Sequence, residues 1–337
     1  MSEYQALIDG QFVPASDGQV IEVFDPATGE LVGKAPQCTL DDTRKAVAAA
    51  KKAQKAWAKT GVMERAALLN ALAAAMRDNV EELGMAVCRE QGKPLNGAKG
   101  EVNWSAGFVE YHAGWARRIE GDIVQSDSSD ENILLFKEPV GVVACILPWN
   151  FPIAVMIRKL APALITGNTV VLKPSSETPL ASLLFAKVAQ DVGFPAGVIN
   201  MVTGKGSVVG NELCSNPDVN LVTMTGSTEA GKRVMAACSE NVTKVSLELG
   251  GNAPAIVMDD ADLEKAVDCV MNGRLYNAGQ VCNCTERAYV QKGIADKFVA
   301  RLVEEMNKVE IGAGVDNPKM GPLINADALK TCQDIVD

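Results

Sequence analysis

The sequence predicts an α/β fold, in which a Rossmann-like, doubly wound parallel sheet is followed by a second α/β unit. From Val140 onward, short apolar segments alternate with segments of helical periodicity. These apolar segments leave no polar face for water, which is typical of parallel strands covered by helices on both sides. The alternation starts again after Gly250, and 337 residues exceed the roughly 250–300 residues that one hydrophobic core organises.

The N-terminal region is predicted to form strands and then helices. The first 35 residues alternate apolar and polar side chains around the turn dipeptides Asp9-Gly10 and Asp17-Gly18, which predicts a β-hairpin or a short meander. From residue 39 to about residue 118 the apolar side chains follow helical spacing. Gly61 and Gly92 mark the expected breaks between helices.

A β-hairpin arm is predicted at residues 119–138. The segment RRIEGDIVQSDSSDENILLFKEPVG has a polar, turn-rich middle between two β-like halves of similar length. Such a segment can project from the domain as an arm, and a surface loop is the alternative.

The rest of the chain is predicted to alternate strands and helices. The strands are GVVACIL, NTVVLKP, GVINMVTG, NLVTMTG and TKVSLEL, followed after Gly250 by NAPAIVM and RAYVQ. The helices are VMIRKLAPALITG and PLASLLFAKVAQDVG, and four more that start near Ser207, Ser227, Asp260 and Ile294.

Composition excludes several functional classes. A net charge of −10 argues against nucleic acid and against anionic membrane surfaces as partners. No apolar run reaches the ~18 residues of a spanning helix, and the N-terminus lacks the features of a signal peptide, so we expect a cytoplasmic protein. Nine scattered cysteines and a single histidine, His112, fit neither a zinc site nor a histidine-dependent triad, and we expect no metal.

Two glycine-rich turns indicate a nucleotide site. GKGSVVG (residues 204–210) and TGSTEAG (residues 225–231) each follow a strand and open a helix, where main-chain N–H groups can approach a phosphate. LKPSS ends a third strand, and Lys173 within it is a candidate for a ribose hydroxyl or a phosphate. The alternatives are ordinary strand-to-helix turns and a solvated lysine.

Three further segments contain candidate catalytic side chains. PWNFP follows a strand, so the amide of Asn150 is expected at the same sheet edge, although a structural turn is the alternative. YNAGQVCNC places Cys282 before or at a predicted helix start, where a thiolate is favoured. VSLELGG ends an apolar strand with Glu248, which we expect to be partly desolvated and suited to a general base, unless it is a structural ion-pair partner.

Taken together, these motifs resemble the aldehyde dehydrogenase superfamily. LPWNFP, TGNTVVLKP, MTGSTEAG, LELGGNAPAIV and NAGQVCNC occur in that family's order over essentially the whole chain. WARRIEGDIVQSD, ENILLFKEPVG and GQVCNC are most similar to the lactaldehyde/glycolaldehyde dehydrogenase branch. LKPSS and LELGGNAPAIVMDDADL are similar to the succinate-semialdehyde dehydrogenase branch.

The resemblance implies a reaction and a set of site residues. Cys282, with Cys284 as its rival, is expected to attack a small aldehyde and form a thiohemiacetal and then a thioester. Asn150 and the Cys282 N–H are expected to hold the oxyanion, and Glu248 to activate the water. Substrate contacts are expected from Arg158, for which a surface ion pair is the alternative, and from Asn283. The implied cofactor residues are Trp149, Lys173, Ser175, Ser176, Gly206, Gly210, Gly226, Ser227 and Leu249.

Two departures from the family pattern indicate the cofactor and the substrate. Many NAD-preferring members have a glutamate three residues after the lysine, where this chain has Ser176, so NADP is expected to be used at least as well as NAD. Tyr276 stands where the succinate-semialdehyde branch usually has a second arginine, which favours small hydroxyaldehydes.

The resemblance also implies a domain organisation. Residues 1–118 and 139–248 correspond to the dinucleotide-binding domain, 119–138 to an oligomerisation arm, and 249–337 to part of the catalytic domain. The family's chain continues past residue 337 by about a third of its total length. The continuation includes an E-x-F-G-P loop and the strand that pairs with the arm in a dimer or tetramer. A fragment that binds dinucleotide without catalysis is therefore the rival hypothesis to an active enzyme.

Overall fold

A computed structural model describes residues 2–337 of the chain. The N-terminal part contains strands and then helices, as predicted. The strands are β1 (Ser2–Glu3), β2 (Ala6–Ile8), β3 (Gln11–Val13), β4 (Val20–Phe24) and β5 (Leu31–Pro36). The helices are α1 (Leu40–Lys59), α2 (Val62–Asp78), α3 (Val80–Gln91) and α4 (Leu95–Ala113), with breaks at Gly61 and Gly92 as predicted.

The N-terminal strands form two hairpins that belong to different sheets. β2 and β3 pair across the predicted Asp9-Gly10 turn, where both residues have positive φ (50° and 74°), as a two-residue hairpin turn requires. β4 and β5 pair antiparallel and form a separate sheet with β1. The dipeptide Asp17-Gly18 lies in the connection between the two hairpins, where Gly18 N–H donates to the Ala15 carbonyl.

The predicted β-hairpin is present, and the surface-loop alternative is wrong. β6 (Asp122–Gln125) and β7 (Asn132–Leu135) pair antiparallel. Every residue of the two strands is exposed, so the hairpin projects from the body of the protein.

Strands and helices then alternate as predicted. They are β8 (Val142–Ile146), α5 (Pro152–Ile165), β9 (Thr169–Lys173), α6 (Leu180–Val192), β10 (Ile199–Met201), α7 (Asn211–Ser215), β11 (Leu221–Gly226), α8 (Thr228–Cys238) and β12 (Lys244–Leu249). The second unit contains β13 (Ala253–Val257), α9 (Leu263–Leu275), β14 (Thr285–Val290), α10 (Lys292–Met306) and α11 (Ala326–Val336).

Four helix starts differ from the prediction. α5 begins at Pro152, three residues before the predicted segment VMIRKLAPALITG, because proline is favoured in the first turn of a helix. The helix expected from Ser207 begins with one π-helical turn (Gly206–Gly210), and α-helical geometry starts only at Asn211, because glycine at both ends of that turn lowers its α-helix propensity. α9 starts at Leu263, after Asp262, whose side chain accepts the Lys265 N–H as a cap. α10 starts two residues before the predicted Ile294.

The large sheet determines where a ligand can bind. Within the described residues its order is β12-β11-β8-β9-β10-β2-β3, and β8 to β12 run parallel to one another, as predicted. The β2–β3 hairpin extends the sheet at one edge, where β10 pairs antiparallel with β2. The chain moves from β8 outward to β10 and then returns to the other side of β8 for β11. Ligands of open α/β sheets bind at such a reversal, outside the carboxyl ends of the strands.

Helices cover both faces of this sheet. One face packs against α2 to α6 through side chains such as Leu69, Ile157 and Phe185. The other face packs against α1, α7 and α8, through Val47, Leu213 and Val234. A separate small core around Phe298 joins β13 and β14 to α9 and α10. The change of sheet falls between Leu249 and Ala253, close to the predicted domain boundary.

Candidate active site

Two loops meet at the point where the strand order reverses. Residues 147–151 follow β8, and Gly226 ends β11, its parallel neighbour. Because parallel strands end at the same edge, Asn150 and Thr225 line one cavity, as the sequence predicts for the loops at this edge.

Cys282 lies in an exposed turn between α9 and β14. The prediction that it lies at a helix start is wrong. Asn277 and Ala278 have positive φ (51° and 56°), which turns the chain out of α9, and β14 begins at Thr285. Cys282 therefore precedes a strand, and its thiol is accessible.

Cys284, the rival nucleophile, is buried. Its Sγ donates to the Gly279 carbonyl oxygen at 3.1 Å and lies 3.4 Å from Nη1 of Arg274. Burial raises the pKa of this thiol, which opposes formation of a thiolate. Of the two cysteines, Cys282 is the one with access to a substrate.

Cys282 is shared by the walls of two adjacent cavities. The larger cavity, of about 620 Å³, also has Glu248, Leu249, Lys159 and Thr223 in its wall. The smaller one, of about 470 Å³, also has Asn150, Trp104, Tyr276 and Asn283 in its wall. Val155, Arg158 and Thr225 line both. Cys282 thus lines the cavity that contains the candidate oxyanion donor and also the cavity that contains the candidate base.

The amide of Asn150 has one of its two hydrogens engaged. Its Nδ2 donates to the main-chain oxygen of Gln280 at 2.8 Å, two residues before Cys282. A primary amide has two donors, so one N–H stays available in the smaller cavity. The bond to Gln280 also fixes the amide relative to the loop of Cys282.

Glu248 is exposed, and the expectation that it is partly desolvated is wrong. β12 is an edge strand whose residues alternate between exposed and half-buried, and Glu248 is on the exposed side. Lys159, which lines the same cavity, is buried and donates to Thr223 Oγ1 at 2.9 Å. Burial lowers the pKa of Lys159, and the nearby Cys145 and Glu248 oppose that effect.

Gly251 brings the loop after Glu248 against the turn that contains Cys282. A Cβ atom at position 251 would lie 3.0 Å from the carbonyl oxygen of Cys282, closer than ordinary van der Waals contact. Glycine therefore lets the two main chains approach closely, so the loop after β12 lies against the main chain of Cys282.

The predicted cofactor residues gather at the same sheet edge. Lys173 is buried, so the alternative of a solvated lysine is wrong, and its stem lies 4.0 Å from the position of a Cβ on Gly210. Ser176 Oγ donates to the Gly204 carbonyl at 3.2 Å, and Trp149 O accepts a hydrogen bond from Thr178 Oγ1 at 3.0 Å.

The remaining cofactor residues have local roles as well. Ser175 Oγ accepts the Glu177 N–H, Ser227 Oγ caps α8 by accepting the Ala230 N–H, and Leu249 Cδ2 packs against Gly231. Leu249 is the member of the predicted cofactor set that also lines the larger cavity beside Cys282.

Three features of this edge fit a dinucleotide. Within the described residues, Lys173 Nζ donates one hydrogen bond, to the Pro174 carbonyl. The ammonium group therefore has further N–H donors for a ligand. Burial lowers the pKa of Lys173 to about 8. Thr225 Oγ1 is buried without a hydrogen-bond partner in the described part of the chain, and the space above Gly206 is open. Unpaired polar groups and open glycine backbone suit a polar ligand.

The sequence analysis missed several polar side chains of the site. Lys159 and Thr225 line the cavities, Lys93 donates to the main-chain oxygen of Asn150, and Glu101 accepts from the first turn of α5. The sequence signal that could have indicated Lys159 is its position next to Arg158, in the helix that follows PWNFP. His112 lies outside the site, where its Nδ1 contacts the Phe108 carbonyl.

Across residues 2–337, no group of three or more His, Cys, Asp or Glu side chains is arranged to hold a metal ion. Over the same residues, no helix combines the length and apolar character that a membrane span requires.

Comparisons with known proteins agree with this geometry. A model of the aldehyde dehydrogenase family matches residues 12–337. Lactaldehyde dehydrogenase of Escherichia coli (strain K12) is 50% identical over 330 residues, which cover 97% of this chain and 69% of that protein. The NADP(+) succinate-semialdehyde dehydrogenase of the same organism is 46% identical over 326 residues, covering 96% of this chain and 68% of that protein. The crystal structure of an NAD-dependent aldehyde dehydrogenase from Sinorhizobium meliloti matches with a TM-score of 0.97 at 39% identity, over 99% of this chain and 67% of that one.

Proposed function

Because the chain belongs to the aldehyde dehydrogenase family and is an NAD(P)-dependent aldehyde dehydrogenase, we propose that it oxidises a small hydroxyaldehyde of the lactaldehyde or glycolaldehyde type to the carboxylic acid. The main support is that the exposed thiol of Cys282 lies in the wall shared by the cavities of Asn150 and Glu248. Succinate semialdehyde is the alternative substrate, because a relative that acts on it is nearly as similar.

The proposed reaction begins at Cys282. Its thiolate attacks the aldehyde carbon, a C–S bond forms, and the carbonyl π electrons move to oxygen. The oxyanion accepts hydrogen bonds from the free Asn150 N–H and from the Cys282 main-chain N–H. When bound, the nicotinamide of NAD or NADP accepts the hydride that leaves this carbon. The carbonyl re-forms and Cys282 holds the acyl group as a thioester.

Hydrolysis of the thioester is assigned to Glu248. Its carboxylate takes a proton from water, the resulting hydroxide equivalent attacks the acyl carbon, and the C–S bond breaks. The products are the carboxylic acid, which loses its proton to solvent as the carboxylate, and the Cys282 thiolate; the proton held by Glu248 also passes to solvent. Exposure of Glu248 supports this role in one respect, because water reaches the carboxylate without crossing the core.

The dinucleotide is assigned to the sheet edge between Lys173 and Leu249. Lys173, buried and short of partners, would bind ribose hydroxyls or a phosphate. The main chain of Gly206, Gly210, Gly226 and Ser227 would face the rest of the cofactor. Trp149, Ser175 and Ser176 complete this wall.

The proposed function is tested by following NAD(P)H absorbance with purified protein and three aldehydes. We expect turnover with lactaldehyde and glycolaldehyde, and a lower kcat/KM with succinate semialdehyde. A higher value for succinate semialdehyde favours the alternative substrate. Dinucleotide binding without turnover on any aldehyde favours the non-catalytic hypothesis.

Arg158 is proposed to bind the second oxygen of the substrate. Its guanidinium lies 4.9 Å from the ring centroid of Trp104 and 5.4 Å from that of Phe108, and it lines both cavities. Stacking on aromatic faces orients a guanidinium without neutralising it. Asn283, exposed beside Cys282 in the smaller cavity, is the second proposed contact.

Replacing Arg158 with leucine is expected to lower kcat/KM for lactaldehyde about tenfold, the effect of one lost charged hydrogen bond. Propanal, which lacks only the hydroxyl group, is the matched control and is expected to change little. Equal losses for both aldehydes would show that Arg158 acts on folding or on the cofactor instead.

A preference for NADP over NAD, or equal use of both, is proposed from Ser176. A carboxylate at this position would repel the 2′-phosphate of NADP. The neighbouring Glu177 is exposed and accepts a hydrogen bond from Asn325 Nδ2 at 3.4 Å, so its carboxylate has another partner.

Ser176→Glu is expected to reduce kcat/KM with NADP by about tenfold or more, which corresponds to repulsion of about 1.4 kcal/mol or more between the new carboxylate and the 2′-phosphate. The kcat/KM with NAD is expected to be unchanged or higher. Steady-state kinetics with both cofactors measures this ratio. Glu177→Gln is the control and is expected to leave the ratio unchanged. A strong NAD preference in the unmodified protein contradicts the proposal.

Homo-oligomerisation through the β-hairpin arm is also proposed. Ile123 and Phe136 are 84% and 80% exposed, and Leu134 and Leu135 are about half exposed, which is unusual for apolar side chains of a monomer. A dimer or tetramer that covers this arm would remove them from water. A cytoplasmic location stays a prediction from the sequence.

A further inference from the structure

Lys93 and Glu101 form a buried ion pair next to the candidate site. The Lys93 Nζ lies 2.6 Å from Glu101 Oε2, and the side chains are 4% and 1% exposed. Burial of two charges costs several kcal/mol per ion unless every polar atom finds a partner. The partners of this pair are therefore informative.

Glu101 caps a helix that belongs to a different part of the chain. Its Oε1 accepts the N–H groups of Ile153 and Ala154, each at 3.0 Å. These are free donors in the first turn of α5, whose preceding residue, Phe151, supplies no side-chain cap. Glu101 thus fixes the first turn of α5, which begins two residues after Asn150.

Lys93 contacts the loop itself. Its Nζ donates to the main-chain oxygen of Asn150 at 2.8 Å and lies 3.8 Å from the ring centroid of Phe151. With Glu101, these contacts account for the three hydrogens of the ammonium. Asn277 Nδ2, from the loop before Cys282, reaches the same oxygen at 3.3 Å.

We propose that Lys93 and Glu101 are positioning residues that hold residues 150–154 in place and so direct the Asn150 amide toward the oxyanion. Glu101 lines the smaller cavity, but both of its oxygens are already bonded to protein groups. The pair acts through Asn150, and the inference rests on the proposed aldehyde oxidation.

The double variant Lys93→Met/Glu101→Gln tests this role. It removes both charges at similar side-chain volume, and the glutamine oxygen can still accept from Ile153 and Ala154. Since no unpaired buried charge is left, the thermal midpoint is expected to stay within a few degrees of the unmodified protein. The bond from Lys93 to Asn150 O is lost, so the rate of the first NAD(P)H turnover is expected to fall about tenfold to a hundredfold, with cofactor KM unchanged.

Lys99→Met/Glu81→Gln is the matched control. This ion pair, also with an N–O distance of 2.6 Å, joins α3 to α4 at the surface, and neither residue is bonded to the 147–151 loop. The control is expected to leave the first-turnover rate unchanged. An unchanged rate in the Lys93/Glu101 double variant overturns the proposal, as does a loss fully explained by a smaller folded fraction.

A background with Asn150→Ala separates positioning from a general structural effect. If the pair acts through Asn150, adding the double substitution to this background lowers the rate little further. Independent, multiplicative losses overturn the proposal. If the double variant does not fold, Glu101→Gln, which keeps the α5 acceptor, is measured in both backgrounds with the same criterion. An unmodified protein without aldehyde oxidation refutes the proposed function, whereas an active protein with an unaffected double variant refutes only the positioning role.

Discussion

Replacement of Cys282 by alanine is expected to abolish aldehyde-dependent formation of NAD(P)H, with kcat lowered by at least about a thousandfold. In the proposed reaction the thiolate forms the covalent bond that separates hydride transfer from hydrolysis, and Cys282 is the cysteine in the walls of both cavities. Absorbance of NAD(P)H with lactaldehyde measures the loss, and cofactor binding is expected to persist.

Two other cysteines provide the controls. Cys269 is exposed on α9 and lines neither cavity, so Cys269→Ala is expected to retain full activity. Cys284→Ala tests the rival nucleophile and is expected to keep most of the turnover, since its buried thiol already donates to Gly279. Loss of turnover in Cys284→Ala with activity kept in Cys282→Ala would reverse the assignment.

The sheet edge at which the candidate site lies was predictable because it depends on strand direction. Consecutive apolar strands separated by helices must run parallel, and parallel strands end at one edge. This geometry brings the loops that contain Asn150, Lys173 and Gly226 together without any knowledge of side-chain contacts. The β-hairpin arm was predictable for a similar reason, since two β-like halves around a polar turn favour a hairpin.

The surroundings of Cys282 were not predictable from local sequence. The segment between α9 and Cys282 contains two consecutive residues with left-handed backbone, Asn277 and Ala278. Alanine has no intrinsic preference for that conformation. Tertiary contacts hold it, among them the Asn277 bond to Asn150 O. The exposure of Glu248 likewise depends on what covers an edge strand, which the strand's own residues do not encode.

The buried ionisable side chains were also not predictable from the sequence. Glu, Lys and Asp are rarely fully buried, so composition rules assign them to the surface. Glu101 reaches α5 across 52 positions in the chain, and Glu90 accepts the first N–H groups of α6 across 90. Burial raises the pKa of Glu90 to about 8, which no local motif indicates.

Glu248→Gln is expected to separate the two halves of the reaction. Acylation of Cys282 does not need the carboxylate, so about one equivalent of NAD(P)H per active site is expected in a rapid first phase. Loss of the general base then slows hydrolysis by about a hundredfold to ten-thousandfold. Rapid mixing with absorbance detection measures both phases, and the intact mass of the trapped protein is expected to increase by the acyl group on Cys282.

The control is Glu229→Gln, which removes an exposed carboxylate of α8 that pairs with Lys232 and lines neither cavity. It is expected to leave both phases unchanged. A Glu248→Gln protein with an unchanged steady-state rate would refute the base assignment and leave the proton acceptor to another group, with Lys159 a candidate because it also lines the larger cavity. Loss of the first phase together with the second would mean that Glu248 acts before hydride transfer, by activating the thiol. Because Glu248 is exposed and Cys282 is shared by both cavities, slow hydrolysis after a normal first phase is the outcome that the geometry favours.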